Sequence, residues 1–193
     1  IDPAAVPTNS DNDYFIHKNK TYRIGLEYTS SGVEVVGALR WNGTYYNVES
    51  GDQSFYVTTG GGWYHVVLTF DGTNLVLYVN GDEKDTNSNS SYETTNQNGV
   101  FSIGRRDDTG TLYYNGKIDE VTLWNTGLSA NAVAALYSSG AGISASSNSG
   151  NYTSSSNLVF YLQMQQNLND SENSYNFTGY NIGSDDYEVT SFE

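Results

Sequence analysis

Trp63-Tyr64-His65-Val66-Val67-Leu68-Thr69-Phe70-Asp71-Gly72-Thr73-Asn74-Leu75-Val76-Leu77-Tyr78-Val79-Asn80-Gly81 decides the architecture. Two runs rich in β-branched and aromatic residues flank the short polar loop 71–74, which predicts a hairpin of strands over 63–70 and 75–79. Both faces of each run are largely apolar. That places the hairpin centrally in a stacked pair of sheets rather than at an exposed edge. Asn80-Gly81 ends it, and Asn-Gly or Asp-Gly pairs suit type I′ turns because both central residues need positive φ. Asn42-Gly43, Asp71-Gly72, Asn98-Gly99 and Asn115-Gly116 are further candidates.

Working outward, strands are expected over Thr21–Tyr28, Val33–Trp41, Tyr45–Val48, Ser54–Thr58, Val100–Ile103, Thr111–Tyr114 and Lys117–Trp124. The spacing is that of an all-β sandwich. Seventeen tyrosines and two prolines agree with it. One helix is expected near 130–138, capped by Ser129, with Val133, Leu136 and Tyr137 on one face and Gly140 as its stop. Residues 138–157, rich in Ser and Gly, read as a linker, flexible or hugging the surface.

A chain of 193 residues can bury a core without disulfides, and it has no cysteine. Thiol nucleophiles, zinc fingers and iron–sulfur ligation are thereby excluded. The formal charge of −14 argues against nucleic acid as a partner, since phosphates would be repelled. No apolar run is long enough to insert in a membrane. With Ile1 first and Met164 the only methionine, the chain reads as a processed product or a fragment.

The hairpin resembles the central hairpin of laminin G-like, concanavalin A-like jelly-roll domains. Phe101-Ser102-Ile103-Gly104-Arg105 and Asn115-Gly116-Lys117-Ile118-Asp119-Glu120-Val121, leading through Leu123-Trp124 to Leu128-Ser129, follow in the same order. The resemblance covers about residues 22–137 and implies a two-sheet antiparallel jelly-roll over 1–137. It also implies a glycan-binding, adhesive or architectural module, often with one calcium ion. The family's opening strands do not precede this segment. A similar run stands at the other end instead: Leu158-Val159-Phe160-Tyr161-Leu162-Gln163-Met164, then Asn167-Leu168-Asn169-Asp170-Ser171.

Alternation puts Leu158, Phe160, Leu162 and Met164 of this tail, residues 158–193, on one face. Burying four such side chains is worth on the order of 6–12 kcal/mol, so the stripe must dock. Three routes are open: completing this sandwich, donation to a neighbouring copy, or opening a second domain.

Among groups that carry chemistry, His17 and His65 are the only imidazoles; His65, inside the central hairpin, reads as a packed or hydrogen-bonded strand residue, and no catalytic residue is assigned. The laminarinase-type glucanases that share the jelly-roll carry Glu, Asp two residues on and Glu three beyond. Asp119-Glu120 comes nearest and fails, because neighbours on a strand point to opposite faces. Asp119 shares a face with Val121 and Leu123, so its carboxylate calls for a partner, either Arg105 or calcium. Asp107, Asp108 and Asp170 are other oxygen-rich places for calcium. Trp41, Tyr45, Tyr46, Tyr113 and Tyr114 are the aromatic candidates for stacking on a sugar.

Two functions follow. The leading expectation is a non-catalytic structural or adhesive module of an extracellular, cell-surface or virion assembly such as a fibre, decoration or filament, with copies of itself or neighbouring subunits as partners. The alternative is a lectin-like module that binds a polysaccharide.

Overall fold

The computed structural model describes residues 1–8, 12–89, 99–106, 113–164, 170 and 175. The chain divides into two compact units, Ile1–Lys117 and Ile118–Glu193. Its strands are antiparallel, with one short helix, as in a jelly-roll sandwich.

The first unit holds a five-stranded sheet. Its order is β5 (Thr44–Glu49), β4 (Val33–Trp41), β3 (Tyr22–Tyr28), β2 (Asp13–Lys18) and β9 (Phe101–Ile103). A second sheet joins β6 (Val66–Phe70), β7 (Asn74–Val79) and β8 (Asp82–Ser88). A small pair joins β1 (Asp2–Pro3) to β10 (Gly116–Lys117). The 63–81 hairpin forms in the expected register, Val66 opposite Val79 and Phe70 opposite Leu75, and β7 is central in its sheet.

Asp71 closes the hairpin loop: its carboxylate accepts the Thr73 and Asn74 N–H groups at 2.8 and 2.7 Å. Asn80 and Gly81, at φ 55° and 80°, both adopt the left-handed conformation, as do Asn42 and Gly43 at 47° and 86°. Asn115-Gly116 does not, since Gly116 is extended and no positive φ occurs at Asn115.

The two main sheets meet where Gly37 of β4 faces Leu68 of β6. A Cβ on Gly37 would lie 2.5 Å from the Leu68 Cδ1 atom, so glycine is what lets the sheets close here. Leu26, Val35, Leu39 and Val48 lie on the Gly37 side by register, and all four are buried.

Several expected elements differ. Residues 54–58 form no strand: a 3₁₀ turn at Ser50–Gln53 ends on Ser54 at φ 55°, which turns the chain out of extended geometry. Two unexpected strands, β2 and β8, enter the sheets through partners rather than through their own patterning. Of the strand expected over 111–114, residues 111 and 112 lie outside the described residues, and Tyr113 makes one bridge to Arg105. The strand expected over 117–124 breaks at Glu120, whose φ of 53° interrupts extended backbone.

His65, whose carbonyl accepts the Asn80 N–H while its own N–H reaches the Asn80 side chain, has its imidazole pushed down to about 4 by burial. The folded value lies below the unfolded value near 6.5, so this group's stabilisation is complete above pH 6.5 and is lost as pH falls towards 4. The loss is on the order of 3 kcal/mol at most. Urea unfolding of wild type and His65→Gln at pH 7 and pH 4 checks it, and the variant should lose less stability between the two.

The second unit contains β11 (Val121–Trp124), α1 (Ala130–Tyr137) and β12 (Leu158–Leu162). Ser129 caps α1 as expected, its hydroxyl accepting the Ala132 N–H at 3.2 Å. The helix stops at Ser138, itself left-handed at φ 48°, before Gly140 is reached. Of residues 138–157, expected as linker, Tyr152 is fully buried and its hydroxyl donates to the Ala145 carbonyl at 2.7 Å while accepting the Trp124 Nε1–H at 2.9 Å. One aromatic with two hydrogen bonds thus holds a stretch whose composition suggests nothing to bury.

β12 pairs antiparallel with β11 of the same chain, Val121 opposite Leu162 and Leu123 opposite Phe160. Leu158, Phe160 and Leu162 are buried, and so is Tyr161. Met164 departs from the expected stripe: it follows the strand's end at φ 55° and is half-buried.

Candidate ligand-binding face

The five-stranded sheet turns its second face away from Leu68, and register defines what stands there. Ser102, His17, Arg23, Ala38 and Asn47 form one cross-strand row through β9, β2, β3, β4 and β5. The next row along β4 and β5 pairs Arg40 with Tyr45. In the other direction lie Gly25, Val36 and Glu49, then Glu27 and Glu34. An apolar face would need no such residues.

Small residues let long ones lie flat across this face. The Tyr14 ring covers Gly25, where a Cβ would come 2.6 Å from Tyr14 Cδ1 and 2.7 Å from the Asp13 carbonyl. Arg23 then bridges two rings, its guanidinium carbon 5.0 Å from the Tyr14 centroid and 4.1 Å from that of Tyr45. Arg40 stands 5.7 Å from Tyr45, and Arg106 5.7 Å from Tyr14. Rings and guanidinium groups at these distances attract through the ring quadrupole, which fixes both without a carboxylate.

The row is short of hydrogen bonds. Arg23 Nε, Asn47 Oδ1 and Ser102 Oγ are buried with no partner among the described residues. Buried polar atoms are nearly always paired with protein or ordered water, so three in one row mark a place built for polar company. Farther along, Glu34 and Glu49 have carboxyls raised above the usual range, by burial first and then by neighbouring carboxylates, while the Gly51 N–H partly offsets this at Glu34. Arginines thus stand towards one end of the face and carboxylates towards the other.

The five aromatic candidates do not form one platform. Tyr45 belongs to the polar face, whereas Trp41 and Tyr46 lie on the opposite one, paired at 6.3 Å, because successive strand residues alternate. Tyr114 is buried edge-on against Phe15 at 5.7 Å and is not a surface ring. Tyr113 is 54% exposed and bridges Arg105 just past β9, the strand at the opposite edge of the sheet from the β5 strand that carries Tyr45. Tyr14, Arg23, Arg40, Asn47 and Ser102 were not singled out from the sequence. The Arg-x-Gly spacing at Arg23 and Gly25, a long side chain beside a missing one, is the local signal of this stack.

Asp119 leaves its expected strand face with the break at Glu120. Its carboxylate accepts the Glu120 N–H at 3.0 Å and is raised by burial. Glu120 accepts the Tyr161 hydroxyl, and Tyr161 is pushed up to about 12 by burial and by that carboxylate. Arg105, the expected partner of Asp119, belongs to the first unit. Asp170 accepts the Tyr161 and Tyr175 N–H groups, one on each oxygen, at 2.9 and 3.2 Å. Among the described residues no three His, Cys, Asp or Glu side chains come together as metal ligands. Asp107 and Asp108 lie outside the described residues.

Antiparallel sheets closing over one another, with a polar face on one of them, define a jelly-roll domain of lectin-like build. The family model of the concanavalin A-like lectin/glucanases superfamily, laminin G type, matches residues 1–134, and the chain belongs to that superfamily.

Among solved structures, a candidate carbohydrate-binding protein from Bacteroides ovatus is similar at TM-score 0.60 and 20% identity over 84% of this chain. The fourth domain of an extracellular arabinanase from Geobacillus stearothermophilus gives 0.49 and 22% over 69% of this chain. An S-layer domain-containing protein from Clostridium thermocellum gives 0.35 and 23% over 69%. The chain spans 43%, 61% and 66% of those three chains respectively. No curated protein matches it. No helix among the described residues is long and apolar enough to cross a membrane.

Proposed function

We propose that the chain is a non-catalytic carbohydrate-binding module acting outside the cell, with its ligand on the Tyr45 face of the five-stranded sheet. One observation carries this: a cross-strand row with three buried polar atoms lacking partners among the described residues, next to a half-buried tyrosine fixed by stacking. Sugars ask for both features, a ring for their apolar face and donors and acceptors for their hydroxyls. The similar Bacteroides ovatus protein, described as a candidate carbohydrate binder, supports the same reading.

The leading expectation from the sequence, an assembly subunit with a donated strand, drew on an apolar strand in search of an edge. Leu158–Leu162 has its edge in β11 of its own chain, which removes that motive.

Affinity electrophoresis against a set of soluble polysaccharides tests the proposal. Wild type should be retarded by at least one, and Tyr45→Ala should weaken that retention about tenfold or more while its thermal melt still shows a folded chain. Absence of retention on every polysaccharide, or release of reducing ends during incubation, would overturn it.

A further inference from the structure

Arg23 and Arg40 are unusual in this chain. Eight Lys and Arg residues stand against twenty-two Asp and Glu, so carboxylates are abundant, yet neither arginine makes an ion pair among the described residues. Both are held by Tyr45, at 4.1 and 5.7 Å from its centroid, and Arg40 Nε donates to the Gly43 carbonyl at 3.2 Å. Two positive charges are thereby fixed on adjacent rows of one face with no ion-pair partner among the described residues.

Resting on the carbohydrate-binding reading, we propose that the Arg23–Tyr45–Arg40 cluster recognises an acidic sugar, a hexuronate whose carboxylate sits at the guanidinium groups while its ring lies by Tyr45. A guanidinium presents parallel N–H groups that match the two oxygens of a carboxylate. Ring stacking positions the fork in advance, so little side-chain entropy is lost on binding. Asn47, in the Arg23 row, adds an amide suited to ring hydroxyls.

The far end of the face sets orientation. Glu49 and Glu34, one and two rows beyond Arg23, would repel a carboxylate laid the other way. Such repulsion selects by exclusion where the arginines select by attraction. Glu27 lies beside Glu34 and acts in the same sense.

The probes are oligogalacturonate, its fully methyl-esterified form, and dextran sulfate beside dextran, titrated calorimetrically into the whole chain. Oligogalacturonate should bind about tenfold or more tightly than the methyl ester, and Arg40→Gln should remove about tenfold of that affinity, Arg23→Gln/Arg40→Gln more. Raising the salt concentration should weaken the acidic oligomer and leave the ester unchanged. Thermal melts accompany each variant, and Arg40→Gln, on the half-buried outer row, is the informative one if Arg23→Gln unfolds.

Equal affinity for acid and ester, with binding still lost in Tyr45→Ala, would overturn the acidic assignment and leave carbohydrate binding standing. Dextran sulfate binding at least as tightly as oligogalacturonate would overturn the carboxylate assignment. Failure of every carbohydrate to bind would overturn both readings.

Discussion

A chain ending at Asn157 should lose the fold of its second unit. Removing β12 strips Leu158, Phe160, Tyr161 and Leu162, all 9% exposed or less, and leaves one edge of β11 unpaired. The lost burial alone is on the order of 6–12 kcal/mol, comparable with the whole stability of a typical domain at about 5–15 kcal/mol. Hydrogen exchange in residues 121–137 should rise from protected to nearly free. Phe160→Ala is the milder version and should cost about 3–5 kcal/mol in urea unfolding, since it leaves a cavity as well as losing transfer energy. Persistent protection of 121–137 in the truncated chain would refute the structural role given to this strand.

The second large effect belongs to Tyr152→Phe, which removes one oxygen and nothing else. That oxygen serves two groups: it accepts from Trp124 Nε1 at 2.9 Å and donates to the Ala145 carbonyl at 2.7 Å. Leaving a buried donor or acceptor without a partner costs about 1–3 kcal/mol each, so a loss of about 2–6 kcal/mol is expected from denaturant midpoints at unchanged slope. The Trp124 and Tyr152 rings meet edge to face at 6.4 Å, so Trp124 fluorescence should report the change directly. A cost under about 0.5 kcal/mol would mean that water replaces the hydroxyl without penalty.

What was legible in the sequence followed from local chemistry. The 63–81 hairpin was readable because alternation and a short polar loop closed by Asp71 are coded within a few residues. The Ser129 cap was readable for the same reason, a side chain acting on an amide three positions away. β8 was not, because Asp82–Ser88 is polar throughout and becomes a strand only by pairing with β7. The aromatic candidates show the limit at the site. Tyr45 was identified, but Trp41 and Tyr46 were grouped with it although a strand sends neighbours to opposite sides.

Arg23 could not have been joined to Tyr45 from sequence, since twenty-two positions and an intervening strand separate them and only the sheet register unites them. The break at Glu120 was equally hidden, because nothing in Asp119-Glu120-Val121 announces a left-handed glutamate.

Ala38 occupies the floor beneath the Arg23–Tyr45 crossing, with Arg23 opposite it on one side and Asn47 on the other. Its methyl group is fully buried there. Replacement by leucine would lift the guanidinium and tilt the tyrosine while altering no atom that meets solvent. On the proposed binding reading, a change at position 38 retunes ligand preference from underneath, through a fully buried residue.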